Sequence, residues 1–228
     1  RDPEQEPEAF QETRLGKLPR DWQIDPFGEH VESSLFGPRF SSDLYVESGR
    51  VATMRTTDMD DVGNVDLSTM PEANLSPGEY AKHILEEGDL LISRSGTIGI
   101  TAVFEGHELP VVPGAFLIRF RLKPSLNPQF IRAYFNSGSG RIRLRREAAG
   151  GVQKNLKGST VLGINVPVPP KDEQVRILEA LESNRYSTRL ESEYRDKLQT
   201  LKTGLMQDLL TGRVRVPEAE ERIQDLAT

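Results

Sequence analysis

KDEQVRILEALESNRYSTRLESEYRDKLQTLKTGLMQDLLT, residues 171–211, contains no proline and a single glycine, Gly204. Nothing in it obliges a helix to stop, and at about 1.5 Å per residue it spans roughly 60 Å, far more than an ordinary globular helix. Its start is written locally. Pro169 and Pro170 break the preceding strand-like run, and Pro170 suits a first helical position, where a missing N–H is no loss. Asp172 and Glu173 add negative charge in the first turn, where the helix dipole favours it. Gly212 follows Thr211 as a residue able to end the helix, with Arg213 just beyond.

The apolar positions fall in two blocks: Val175, Ile177, Leu178 and Leu181, then Tyr194, Leu198, Leu201, Leu205, Leu209 and Leu210. The run Tyr194–Leu198–Leu201–Leu205 alternates steps of four and three, the spacing of a coiled-coil seam. Between the blocks the seam turns polar at Asn184, Ser187, Thr188 and Glu191. A small domain cannot cover so long a helix. It is therefore expected to project and to pair Val175, Leu178, Leu181, Asn184, Tyr194, Leu198, Leu201, Leu205 and Leu209 with a partner helix.

The chain has 228 residues, enough for one or two domains with a sizeable core. It has no cysteine, which removes disulfides, thiolate metal sites and thiol nucleophiles together. No apolar run approaches the length of a membrane span and no signal-peptide pattern is present, so a soluble, cytoplasmic protein without a membrane partner is expected. Because the chain begins at Arg1, its N-terminus is expected to be a processing or expression boundary. The net charge of −6 conceals an asymmetry. Residues 1–87 carry 8 basic and 19 acidic side chains, residues 88–170 carry 11 and 4, and residues 171–228 carry 10 and 12. A basic segment inside an acidic protein points to an anionic partner for that segment.

In chain order, residues 1–13 are acidic, contain Pro3 and Pro7, and read as a disordered lead-in. A turn-rich stretch leads to a strand at Trp22–Ile24, with the only tryptophan as a core anchor. Residues 27–33 are helical or strand-like, Ser41–Thr57 holds one or two short strands including Arg50–Met54, and Asp58–Asp66 is a polar loop. Strands are expected at Leu90–Ser93, Ile100–Phe104, Leu109–Val112, Ala115–Leu122 and Val161–Val168, and helices at Gln129–Phe135 and Gly140–Ala149. Strands and helices mix without βαβ alternation, so the fold class is α+β: one mixed domain followed by one long helix.

Several motifs invite chemistry and fail it. Asp58–Asp66 begins like a calcium loop, but Val62 stands where an oxygen ligand is required and Thr69 where a bidentate glutamate is required. Lys157-Gly158-Ser159 reverses the order a phosphate cradle needs. His30, His83 and His107 have no ligand spacing and read as surface or capping residues. Glu86, Glu87 and Asp89 read as a charged turn before a strand. No catalytic centre and no metal site is expected.

The basic segment is different. Arg141, Arg143, Arg145 and Arg146 crowd six residues and run into Gly150-Gly151-Val152-Gln153-Lys154-Asn155-Leu156-Lys157. Arginine can grip guanine bidentately, Gln and Asn can read adenine, lysine pairs with phosphate, and glycines let backbone approach a duplex. Arg94 and Ser95, on a turn after a strong strand, offer a second reading loop. A solvated helix face with a polar loop accounts for the charge equally well, and charge alone does not separate the two.

Four stretches together resemble the DNA-specificity (S) subunits of type I restriction–modification systems. They are Leu15-Gly16-x-Leu18-Pro19-x-x-Trp22; Gly88-Asp89-Leu90-Leu91-Ile92-Ser93-Arg94-Ser95-Gly96; Val166-Pro167-Val168-Pro169-Pro170-x-x-Glu173-Gln174-x-x-Ile177; and Leu201-Lys202-x-Gly204-Leu205-Met206-Gln207-x-Leu209-Leu210-Thr211-Gly212-Arg213-Val214-Arg215-Val216. The resemblance covers about residues 12–216, in order and in spacing. It implies a target-recognition domain at 14–170, a long helix at 171–211 for dimerisation and subunit docking, and a tail at 212–228. Such subunits usually carry two recognition domains and two antiparallel long helices; this chain has one of each and looks like a half-subunit, or one half of a longer chain.

The resemblance also implies a division of labour. The S subunit reads double-stranded DNA, modification (methyltransferase) subunits bring S-adenosylmethionine and methylate adenine, and restriction subunits cleave. The chain itself then needs no cofactor and is not an enzyme, in line with its lack of an Asn-Pro-Pro-Tyr type motif, a cofactor glycine loop and a nuclease carboxylate–lysine cluster. Recognition domains of this family diverge strongly, so Arg94, Ser95, Arg141, Arg143, Arg145, Gln153, Lys154, Asn155 and Lys157 are assigned to DNA from chemistry and placement. The partner helix is expected from a second copy packed antiparallel or from a second specificity half. A coiled-coil scaffold without sequence-specific DNA binding and a stand-alone DNA-modifying enzyme are the alternatives.

Overall fold

The computed structural model describes residues 6–148 and 155–215. The chain divides into two units, Arg1–Ile177 and Leu178–Thr228. The first is α+β. Its elements in order are β1 (Phe10–Thr13), β2 (Gly16–Pro19), β3 (Gln23–Pro26), β4 (Val31–Phe36), β5 (Tyr45–Val46), β6 (Val51–Met54), β7 (Glu72–Ala73), β8 (Leu90–Ser93), β9 (Thr101–Val103), β10 (Val111–Pro113), β11 (Leu117–Leu122), α1 (Pro128–Asn136), α2 (Gly138–Ala148), α3 (Gly158–Leu162) and β12 (Asn165–Val168). The long helix α4, Lys171–Leu210, begins in this unit and accounts for most of the described part of the second.

An antiparallel sheet of order β4-β11-β8-β9 forms the centre, with Ile118 opposite Ile92 and Phe120 opposite Leu90. Every residue of β8 is buried, which is why its sequence is a continuous apolar run instead of an alternating one. A second sheet, β10-β6-β7-β5, pairs β10 with β6 in parallel, and Ala52, Met54, Val111, Leu91, Ala102 and Leu117 share one core cluster. Phe27, Phe120 and Phe135 are also fully buried, the Phe27 ring meeting the other two edge-on at 5.4 and 5.3 Å. Beneath the sheet edge, the buried Asp89 carboxylate takes two hydrogen bonds from the Arg121 guanidinium, at 2.9 and 3.0 Å, and one from the Glu86 N–H. The charged turn before β8 is thus held by a desolvated ion pair, whose value depends on all its partners being present.

The root of α4 is equally specific. β12 pairs antiparallel with β3, setting Val166 opposite Asp25. Glu173 then accepts a hydrogen bond from the Trp22 indole N–H at 3.1 Å. Gln174, 1 % exposed, accepts from the Asn127 N–H and donates to the carbonyls of Ser125 and Pro169. At the other end Gly212 adopts a positive φ of 70°, the Gly212 N–H bonds the Leu209 carbonyl and the Arg213 N–H bonds the Asp208 carbonyl. This is a left-handed stop that glycine adopts without Cβ strain.

The structure corrects several expectations. Phe10–Thr13 is not disordered: Phe10 is buried and β1 pairs with β2, so one aromatic outweighs the acidic composition around it. Val161–Val168 is not one strand, because Gly158–Leu162 coils into α3 and only Asn165–Val168 is extended. Trp22 is half-buried and serves the helix root, while Phe27 is the core anchor. Pro170 lies just before α4, its carbonyl accepting from Glu173 and Gln174. Of the histidines, His30 is buried and bonded to Ser125 and Asp25, and burial together with the neighbouring Lys82 charge holds the His83 imidazole below its usual range.

Gln174→Ala strands three backbone groups at once and is expected to lower unfolding free energy by about 1–3 kcal/mol in urea titration. Glu179→Ala, on the exposed side of the same helix, is expected to stay within about 0.5 kcal/mol of the unmutated chain.

Candidate nucleic-acid interface

Three separate pieces of chain meet at the end of β8. The Arg94 N–H donates to the Phe116 carbonyl at 2.9 Å, and the Leu156 N–H donates to the Arg94 carbonyl at 3.0 Å. The turn after β8, the turn before β11 and residues 155–157 are thereby locked together. Ser93 closes the first of these turns by donating its hydroxyl to the Thr97 carbonyl and accepting from the Ile100 N–H. The Arg94 guanidinium lies over the Phe36 ring, 4.5 Å from its centroid, while its Nε is buried without a hydrogen-bond partner. Ser95 and Asn155 are half-buried beside it, and Lys157 stands exposed before α3. So Arg94, Ser95, Asn155 and Lys157, drawn from two distant stretches, lie on segments that a backbone hydrogen bond joins. Gln153 and Lys154 lie outside the described residues.

The arginines of α2 divide. Its buried residue Leu144 packs on Gly99, placing the helix beside the same turn. Arg141 donates to the Asp61 carbonyl and Arg143 to the Arg14 carbonyl, and both are partly buried. Burial pushes the neighbouring Tyr134 hydroxyl above its ordinary value, with the Arg143 charge acting the other way. Arg145 and Arg146 are exposed and form no ion pair among the described residues; with Ile142, 53 % exposed, they share one helix face. The exposed positive charge of α2 therefore sits on Arg145 and Arg146, next to the exposed Glu147, whereas Arg141 and Arg143 tie α2 to neighbouring loops.

Residues that composition did not single out also line this region. Phe36 and Phe116 are large apolar side chains left 40 % and 57 % exposed, and Arg39 is exposed near them. A cavity of about 570 Å³ runs from Arg39 and Tyr45 past Arg55 and Thr57 to Phe116. The only trace of it in the sequence is an aromatic residue directly after the Pro113-Gly114-Ala115 turn. Among the described residues no cluster of histidine and carboxylate side chains could hold a metal, and no helix is long and apolar enough to cross a membrane.

Residues 19–200 match the family described as type I restriction modification DNA specificity domain. The chain belongs to this family. It is 24% identical over 222 residues to the type I restriction enzyme MjaVIII specificity subunit of Methanocaldococcus jannaschii, covering 92% of this chain and 50% of that protein. Its fold is similar to a chain of a type I R-M system solved to explain complex assembly and conformational transition, with a TM-score of 0.66 at 19% identity over 88% of this chain and 48% of that one. It is also similar to the HsdS subunit from Thermoanaerobacter tengcongensis, with a TM-score of 0.62 at 19% identity over 88% of this chain and 47% of that one. The chain thus spans about half the length of the specificity subunit it matches. The family match includes the Gly88–Gly96 stretch, which carries Arg94, and the Val166–Ile177 stretch, which carries Gln174.

The two classes of α2 arginine separate in a stability measurement. Arg141→Ala removes a tie to the Asp61 carbonyl and is expected to cost about 1 kcal/mol in thermal or urea unfolding. Arg145→Ala and Arg146→Ala are expected to change stability by less than about 0.5 kcal/mol.

Proposed function

We propose that this chain is the DNA-reading part of a type I restriction–modification complex, recognising one half-site of duplex DNA and docking methyltransferase subunits without catalysing a reaction itself. The observation that carries the reading is that Arg94, Ser95, Asn155 and Lys157 lie on segments joined by a backbone hydrogen bond, and that α2, which exposes Arg145 and Arg146, packs through Leu144 on the turn after β8, all in the basic segment of a chain of the specificity-domain family. Half-buried Arg94, Ser95 and Asn155 suit contact with base edges, because their positions are held by backbone hydrogen bonds. Exposed Arg145, Arg146 and Lys157 suit phosphate, which rewards charge without demanding fixed geometry. Arg141 and Arg143 take a supporting role, and Gln153 and Lys154 remain assigned to the same interface. S-adenosylmethionine belongs to the modification subunits, and restriction subunits join through the complex.

A chain half as long as the specificity subunit it resembles needs a second half to read a bipartite site. The seam of α4 supplies the means. Val175, Leu181, Asn184, Tyr194, Leu198 and Leu201 are exposed in the single chain, and Leu178, Leu205 and Leu209 are half-buried. Antiparallel pairing with a second copy, or with a different specificity half, covers both apolar blocks and lets the polar middle around Asn184 meet itself across the axis.

Selection of bound duplexes from a random pool, with and without methyltransferase subunits, tests the reading, and the expected product is a spaced palindrome for a homodimer. On that duplex the combined Arg145→Ala, Arg146→Ala and Lys157→Ala variant is expected to flatten the dependence of log affinity on log salt by roughly one unit for each phosphate no longer neutralised. Binding without any sequence preference would overturn the proposal. Inserting one heptad between Arg185 and Leu190 is expected to widen the gap between half-sites and leave their sequences unchanged. The double change Leu201→Asp and Leu205→Asp is expected to yield monomers by sedimentation. A monomer for the unmutated chain at micromolar concentration would assign the partner to a different half.

A further inference from the structure

Phe116 is the most exposed aromatic side chain among the described residues of the first unit, and the fold holds it there firmly. The ends of β4 and β11 are clamped by the Gly37 N–H donating to the Leu117 carbonyl at 3.1 Å. A Cβ on Gly37 would clash with the backbone carbonyl oxygens of Gly114 and Pro113, so only glycine allows this approach. The Phe116 carbonyl is itself the acceptor for the Arg94 N–H. Backbone on both sides therefore holds Phe116 in place although its ring faces solvent. Such rigidity is unneeded for a ring that merely escaped burial.

The surroundings choose the ligand. The Arg94 main chain bonds the Phe116 carbonyl while its guanidinium lies over Phe36, and the groove that Phe116 lines with Pro38, Phe40 and Tyr45 also carries Arg39 and Arg55. Arg55 is paired to the buried Asp58, leaving Arg39 and Arg94 as cations without a carboxylate partner among the described residues. An apolar knob flanked by two such arginines complements a duplex edge, where a methyl group lies between acceptor atoms and phosphates. In the major groove that methyl is the C5-methyl of thymine, which apolar side chains recognise by contact.

We infer that Phe116 is a specificity-determining residue that reads a thymine methyl group in the major groove of the recognised half-site. The inference rests on the DNA-reading function proposed above and adds a base and a group to it. The test uses the full chain and its selected duplex, with thymine replaced by uracil one position at a time. At one position the replacement is expected to weaken binding by about fourfold, the effect of one buried methyl group. Phe116→Ala is expected to weaken the thymine duplex similarly and to be indifferent to the replacement, and Phe116→Leu to retain part of the preference. Circular dichroism and the unfolding midpoint of both variants are expected to match the unmutated chain, since the ring is exposed.

A loss in Phe116→Ala that is equal for thymine and uracil duplexes would overturn the inference in favour of a wedge between base steps. A selected site without a thymine requirement at any position would also overturn it, as would unchanged binding by both variants; in each case the DNA-reading proposal stands. Absence of sequence-preferring binding by the unmutated chain would overturn both.

Discussion

The carboxamide of Gln174 makes three hydrogen bonds to backbone in a place water does not reach, and the geometry of the recognition domain depends on them. One partner is the N–H of Asn127, whose own side chain caps α1; the other two are carbonyls of Ser125 and Pro169. Each group left unmade in such a site costs about 1–3 kcal/mol, so neither α4 nor the turn before α1 can rotate by one residue without losing all three together. The Trp22 indole adds a fourth tie through Glu173, and β12 enters the helix from a pairing with β3. The start of α4 is thereby rooted in the first strands and in the helix that supports α2.

Charge at the candidate interface is sorted by what it is bonded to. Four arginines in six residues look equivalent in composition, yet two donate to backbone carbonyls of distant loops and two do not. Arg94 is a third kind: its main chain joins two other segments, and its guanidinium is stacked on Phe36. Stacking and a buried Nε restrict the directions its guanidinium can take.

The long helix obeys a different logic from the domain. Its surface ion pairs, Arg176 with Asp172 and Arg189 with Glu193, are exposed to solvent and screened, so they add little to stability. Its leucines are largely uncovered within the single chain. A helix of 40 residues whose apolar seam is exposed has little tertiary packing of its own to stabilise it, and packing, more than propensity, is what stabilises most protein helices.

Local physics sufficed for much of this protein. The proline pair, the acidic first turn and Gly212 bound α4 within a residue of where it lies, because helix starts and stops are local events. Leu90–Ser93 is legible as a strand, and the four spaced stretches are enough to point to the family. What sequence could not supply was anything that depends on contact between distant residues. The β1 hairpin needed Phe10 to find a core, and α3 formed where β-branched residues favoured a strand. The split among the α2 arginines required the carbonyls of Asp61 and Arg14 to be near, and the position of Phe116 required the ends of β4 and β11, far apart in the chain, to be clamped at Gly37. Residue type and spacing determine which groups a chain can offer; tertiary structure decides which are already satisfied and which remain for a partner.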